Sequence, residues 1–396
     1  MADMSEFELL AHIAQAEADS VQFNGTFSRD NVRLLKAYKG DLYGDEVEGR
    51  SKVVSTDVSD VVEADMPSLA RVFLGAGDIA SFKPNTENEQ EVQEAKDKTK
   101  YVNWLIRNQP ESFATLHGWL KDAEIQKMGV VKYFIEDTRK AEEVEYTGVD
   151  AIELEQIIES LNDDDVEKVE IIGQSQDEGQ STFDIIFRVT RGKQKVRIVN
   201  VRTEDFLISS GADCLDNAEM VGDRMLKTRG ELIAEGFDED IVKQLPTFQA
   251  GESRSVSVTG GSNSDGSTLN QVRNKDQGGD VGTSLNEFAS QEVEIIDMTL
   301  KIDFDQDGIA ERRHIIKSGQ HILVNEQFDH VNYALISAML MPHKAIGRSR
   351  AEITEVTQRV KTVVLRQTLD NMYFVNNARN VVSDQVNLDD MFQKLF

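Results

Sequence analysis

The sequence predicts an α+β protein of mixed helices and antiparallel strands, on three observations. Apolar residues recur at helical spacing through the first third of the chain. Strand-like segments bounded by turn residues cover 183–201 and 292–325. One long helical pattern then runs from Arg350 to Phe374.

Residues 1–50 read as helical and polar. Phe7, Leu10, Ala14 and Ala18 recur at helical spacing, Asn31–Tyr38 offers a further short helix, and Gly40, Gly44 and Gly49 break the pattern. From Asp57, the residues Val58, Val62, Met66, Leu69 and Phe73 mark one face of an amphipathic helix, with Pro67 as a kink or restart. Val92, Ala95, Thr99, Val102 and Ile106 form the next stripe. Pro110 ends it, and Phe113, Leu116, Leu120 and Ala123 form another.

After Gly129, Val130–Ile135 reads as a strand. Residues 151–170 read as an acidic helix, and Phe183–Val189 with Lys195–Val201 as a hairpin turning at 191–194. Ala218–Leu245 reads as a helical piece ending at Pro246. Residues 247–286 are rich in Gly, Ser, Thr, Asn and Asp and are expected to form a long mobile loop inside a domain. Glu292–Asp303, Arg312–Lys317 and Gln320–Asn325 read as a three-stranded meander, and the pattern from Arg350 is the longest helical one in the chain.

Composition narrows the function. The 396 residues carry 71 acidic against 43 basic side chains, a formal net charge of −28. Tight nucleic-acid binding draws on a basic face that neutralises phosphates, so a chain this acidic is expected to let a duplex pass without gripping it. Cys214 is the only cysteine, which excludes an internal disulfide and fits a reducing cytoplasm. Met1–Asp30 lacks the pattern of a signal peptide, and the most apolar stretch, Val331–Met341, is too short to span a bilayer. The expectation is a soluble protein with no membrane partner.

No catalytic constellation is visible. Asp303-Phe304-Asp305-Gln306-Asp307-Gly308 begins like a calcium loop, but the twelfth position is His314, where an EF-hand has a bidentate glutamate. A tight acidic turn is the favoured reading, with Asp303, Asp305 and Asp307 as a weak cation candidate. His314, His321, His330 and His343 lack the spacing of zinc ligands. There is no phosphate-binding lysine loop, dinucleotide turn or nucleophile elbow, and the acidic setting of Cys214 disfavours a reactive thiolate. No cofactor and no enzymatic activity are expected.

The helix after Arg350 is apolar over more of its surface than a surface helix requires. Ile353, Val356, Val360, Val363 and Gln367 define one stripe, Leu365, Leu369, Met372 and Tyr373 a neighbouring face, and Arg359, Lys361 and Arg366 lie between. It reads either as a core helix with basic residues reaching out to water, or as a helix packed against copies of itself in a ring.

Several segments, in order along the chain, carry a resemblance. They are Gly49–Val58 (GRSKVVSTDV) continuing to Pro67-Ser68-Leu69 and Phe73, and Lys121-Asp122-Ala123 with Gln126–Lys132 (QKMGVVK). The turn Asp305–Glu311 (DQDGIAE) follows. Then come Gln358–Thr362 (QRVKT), Leu365–Asn371 (LRQTLDN), Tyr373, Asn376–Arg379 (NNAR) and Val386–Asp390 (VNLDD). From about residue 45 onward the chain resembles the portal proteins of short-tailed bacteriophages.

The resemblance implies a wedge-shaped subunit of a dodecameric ring at the capsid vertex, with no catalysis of its own. Residues 1–49 would be an N-terminal helical arm, 50–349 an α/β wing, 350–375 a stem helix and 376–396 the start of a clip. Ile353, Val356, Val360, Val363, Leu365, Arg366, Leu369, Met372 and Tyr373 would meet neighbouring stems. Asn377, Arg379, Asn387, Asp389 and Asp390 would meet partners at the clip. Those partners would be terminase and tail adaptor proteins, with major capsid and scaffolding proteins elsewhere and double-stranded DNA passing down the axis. The subunit would be assembled in the host cytoplasm and reside in the virion. The sequence stops at Met391–Phe396, inside the expected clip and before the second stem helix, tunnel loop and crown of the family, so either the chain is shortened or the rest is supplied elsewhere. Two other readings are carried: a neck or scaffold component, and a cation-dependent hydrolase using Asp303, Asp305 and Asp307.

Overall fold

The computed structural model describes residues 4–75, 77–86, 88–108, 111–137, 140–149, 166–176, 183–191, 194–248 and 288–376. They form a helical layer packed against antiparallel sheets, an α+β arrangement.

Helix α1 (Glu6–Lys39) opens on a capping box in which Ser5 and Glu8 satisfy each other's backbone N–H groups, and closes on Gly40 in the left-handed conformation at φ 70°. The two helical pieces expected in this region are thus one 34-residue helix, longer than the C-terminal one. Its buried stripe is Leu9, Ile13, Glu17 and Ser20, whereas Phe7 is 82% exposed. The sheet beneath selects that face because Glu17 finds Arg224 at 3.1 Å and Lys317 at 2.7 Å there.

Helix α2 (Asp57–Leu74) runs through Pro67 without a break and buries Val58, Val62 and Met66 as the stripe requires. Helices α3 (Glu89–Arg107) and α4 (Ser112–Gln126) follow, and α4 buries Leu116, Leu120 and Ala123 but leaves Phe113 exposed. Leu35, Val62, Met66, Leu120 and Ile125 make one core among α1, α2 and α4.

The strands are β1 (Gly129–Asp137), β2 (Lys140–Val149), β3 (Val166–Gln176), β4 (Phe183–Arg191), β5 (Gln194–Val201), β6 (Phe206–Ile208), β7 (Met220–Thr228), β8 (Glu292–Ile302), β9 (Glu311–Ser318), β10 (His321–Gln327) and β11 (Tyr333–Ile336). They form antiparallel sheets of order β11-β1-β5, β10-β9-β8-β7-β6 and β2-β4-β3. The expected meander is β8-β9-β10, extended by β7 and β6.

Three sequence expectations are corrected here. β4 and β5 are not a hairpin: β5 pairs with β1, and β4 pairs with β2 and β3. The pairing of β1 with β5 ends at Asp137↔Gln194, and that of β2 with β4 begins at Lys140↔Arg191. Residues 166–170, read as part of an acidic helix, belong to strand β3; positions 150–165 lie outside the described residues.

Ala218–Leu245, read as helical, contains the strand β7 and only two short helices, α5 (Arg229–Ala234) and α6 (Glu239–Gln244). Pairing overrides propensity there, since β7 sits between β6 and β8 with nine residues in register from Met220↔Leu300 to Thr228↔Glu292. Of the Gly/Ser-rich stretch 247–286, only 247 and 248 are among the described residues. The final helix, α7 (Arg350–Asn376), lies on α1, α2 and α4.

Candidate functional site

Amphipathicity in α7 is inverted. The residues that face the body of the subunit are Ala351, Glu355, Gln358 and Thr362, all at most 2% exposed, with Arg366 and Asp370 continuing the line. Their spacing of three and four residues makes a single stripe, and beyond Ala351 it is polar.

Much of that polar stripe is met by a strap, residues 51–56, that runs antiparallel along it into the first turn of α2. The N–H of Ser51 donates to Asp370 Oδ1 at 2.7 Å, and Arg366 Nε donates to the carbonyl of Val53 at 2.8 Å. The N–H of Ser55 donates to Thr362 Oγ1 at 3.1 Å, and that of Val58 to Gln358 Oε1 at 2.8 Å. Four helical residues advance about 6 Å and two extended residues about 6.6 Å, so from Asp370 to Thr362 each helical turn meets the next inward-facing backbone group of the strap, and Gln358 meets the first turn of α2. Gln358 also donates from Nε2 to the carbonyl of Ala37 at 2.9 Å. One side chain thereby joins the end of α1, the start of α2 and α7.

Ion pairs reinforce the seam. Glu355 takes Arg33 at 2.8 Å, Arg350 takes Asp65 at 2.9 Å, and Arg366 takes Asp45 at 2.9 Å and Glu46 at 2.7 Å. Lys361 pairs with Asp57. The Lys361 ammonium and the Ser55 hydroxyl hold the Asp57 carboxyl below its ordinary range. Burial pushes the Glu124 carboxyl up, against the opposing pull of Arg350.

The apolar residues in the first half of α7 point away from this seam. Ile353, Val356, Val360 and Val363 are exposed, Val356 to 66% and Val360 to 61%. At 3.6 residues per turn they lie on the side opposite the buried stripe, while Leu365, Leu369 and Met372 lie on the other side of the helix and about 15 Å further along it. These three are also exposed, and Tyr373 meets Phe374 edge-on at 6.1 Å near the helix end. Of the expected stem residues, Arg366 is held by its own chain in the pairs just described. Asn377, Arg379, Asn387, Asp389 and Asp390 lie outside the described residues.

Asp303, Asp305 and Asp307 do come together, with a carboxylate oxygen of each within 4.8 Å of the others. Their oxygens accept backbone N–H groups of the turn: Asp303 from Asp307 at 3.0 Å and Gly308 at 2.9 Å, and Asp307 from Ile309 at 2.7 Å. That is turn-capping geometry. His314 Nε2 lies 2.8 Å from Asp297, and His330 stacks on Phe328. Among the described residues no histidine joins a ligand cluster, and no helix is long and apolar enough to cross a membrane.

Sequence reading missed the strap and the polar seam. The signal was there, in the polar series Glu355, Gln358, Thr362, Arg366 and Asp370 at helical spacing, but a polar stripe is ordinarily the solvent side.

The family model described as phage SU10 portal protein matches residues 9–396. No curated protein matches the chain. The match takes in α1, the strap, the sheets and α7 together, and it agrees with an apolar face of α7 that is exposed among the described residues: the protein belongs to the phage SU10 portal protein family and is a structural component of a phage.

Proposed function

We propose that the chain is a ring-forming portal subunit in which α7 is the stem helix and 50–349 the wing, with the clip beginning at 376. The observation that carries this reading is the inversion of α7. A helix that turns Gln358 and Thr362 inward and Val356 and Val360 outward leaves its apolar side exposed among the described residues of one copy. Its two apolar faces are on opposite sides and differ in composition, which suits a head-to-tail contact between unlike faces of successive copies and so a closed ring, a dodecamer on family grounds.

The stem contacts are then Ile353, Val356, Val360 and Val363 of one copy against Leu365, Leu369, Met372 and Tyr373 of the next. DNA passes down the axis during packaging and ejection. A net charge of −28 supports a channel that does not bind the duplex by sequence. Asn377, Arg379, Asn387, Asp389 and Asp390 are assigned to contacts with terminase and tail adaptors at the clip, and the wing to capsid and scaffolding proteins. ATP hydrolysis belongs to terminase, not to this chain. The subunit is assembled in the host cytoplasm and resides at the capsid vertex.

The test is the solution mass of the full chain, with negative-stain images of the same sample. Rings with a central hole, lost in a Val356→Asp/Val360→Asp variant that keeps its circular dichroism, are the expected result. A chain that stays monomeric at high concentration overturns the reading that these residues close a ring.

A further inference from the structure

A second surface stands apart from the exposed face of α7. Where α1, the end of α4 and the segment before α7 converge, there is a cavity of about 400 Å³, within the size range of pockets that take one or two bulky groups. Its floor is apolar: Phe23 and Phe27, edge to face at 4.8 Å, with Ala345 and Ile346. Its rim is basic. Lys127, His343, Lys344 and Arg348 line it against a single carboxylate, Glu352. In a chain with 71 acidic and 43 basic residues that local balance is reversed.

The charges on this rim are unequally occupied. Lys127 is 2.7 Å from Asp30, and Arg348 is 3.1 Å from Glu352. Lys344 is exposed, and no carboxylate pairs with it among the described residues. The backbone around the cavity is also unusual. Lys127 at φ 71° and His343 at φ 58° are two of the four non-glycine residues at positive φ among the described residues. Such outliers gather where a fold holds a surface for a purpose.

We infer that this cavity is a docking site for an acidic peptide segment of a partner protein, which seats a large apolar side chain between Phe23 and Phe27 and sets a carboxylate on Lys344. Apolar burial supplies the affinity, and the basic rim selects acidic over neutral or basic segments. The site does not depend on the ring reading, because none of its floor or rim residues is on the apolar face of α7.

The test is fluorescence anisotropy of the full chain with a fluorescein-labelled nonapeptide carrying a central Leu-Phe pair flanked by Asp and Glu. A second probe with Ser in place of every acidic residue serves as the comparison. Saturable binding of the acidic probe is expected, weakened about tenfold by the Ser replacements and similarly by Lys344→Glu, an exposed change that should leave the melting temperature unmoved. No saturable binding overturns the inference, as does equal binding of both probes with Lys344→Glu silent. Concentration-dependent self-association of the Val356→Asp/Val360→Asp chain, lost on adding Lys344→Glu, makes the occupant a second copy and overturns the assignment to a different protein.

Discussion

The amide oxygen of Gln358 accepts the backbone N–H of Val58 at 2.8 Å across 300 residues of sequence, in a site with no exposure to water. The same side chain donates to the carbonyl of Ala37. A helix start and a helix end, each with backbone groups lacking an internal partner, are thus closed by one glutamine of α7.

Gln358→Leu keeps the shape and removes both bonds. It leaves the buried Val58 N–H unpaired, at about 1–3 kcal/mol, whereas the Ala37 carbonyl keeps the Gly40 N–H at 3.2 Å. The expected outcome is a loss of about 1–3 kcal/mol in urea unfolding of the assembly-deficient Val356→Asp/Val360→Asp chain, where oligomerisation does not enter the measurement.

Lys132 joins two sheets from β1, reaching Asp223 on β7 at 2.6 Å and Asp297 on β8 at 2.7 Å. All three side chains are largely buried, and Tyr333 adds its hydroxyl to Asp223 at 2.6 Å. Lys132→Met strands two buried carboxylates, and a cost of about 3–5 kcal/mol is expected. A chain that fails to accumulate folded in the cytoplasm, rescued by adding Asp223→Asn and Asp297→Asn, is the readout.

The same cluster sets a pH dependence. Burial alone would raise the Asp297 carboxyl, but the hydrogen bond from His314 and the charge of Lys132 bring it down to about 2 from 3.8. A folded pKa below the unfolded one stabilises above pH 4 and is lost as pH falls through 2. The contribution is about 2 kcal/mol. Denaturant midpoints between pH 2 and 6 are expected to fall more steeply on acidification in the native chain than in Asp297→Asn.

At Gly222, β7 leaves no room for a side chain against β8. A Cβ there would lie 2.5 Å from the carbonyl oxygen of Asp297 and 2.8 Å from Met298 Cβ. Gly222→Ala forces the central strands apart, and a loss of about 1–3 kcal/mol is expected in thermal unfolding.

Asp303 serves a turn. Asp303→Ala is expected to lower stability by about 1 kcal/mol through lost backbone capping, with millimolar calcium leaving the melting temperature of the native chain unchanged. A calcium-dependent rise that disappears in Asp303→Ala would instead establish the cation site.

Much of this protein was decided locally and was legible in its residues. The stripe from Val58 to Phe73, the strands β8, β9 and β10, and the extent of α7 follow from period and punctuation, which depend only on neighbours in sequence. The acidic charge balance and the ordered portal-like segments were equally open to reading.

The tertiary structure decided which face of a helix turns inward and which strand pairs with which. Leu9 and Ile13 of α1 are buried while Phe7 is not, because Glu17 lies on the same stripe as the former and meets Arg224 and Lys317. β4 pairs with β2 and β3, and β5 with β1, because each finds a long partner strand distant from its own neighbour in sequence. Most of all, α7 presents Gln358 and Thr362 to its own chain, because the strap and the first turn of α2 bring unpaired backbone groups there, and a buried N–H demands a polar partner. Periodicity measures how a helix is divided into two sides; only the contacts distant in sequence say which side is the inside.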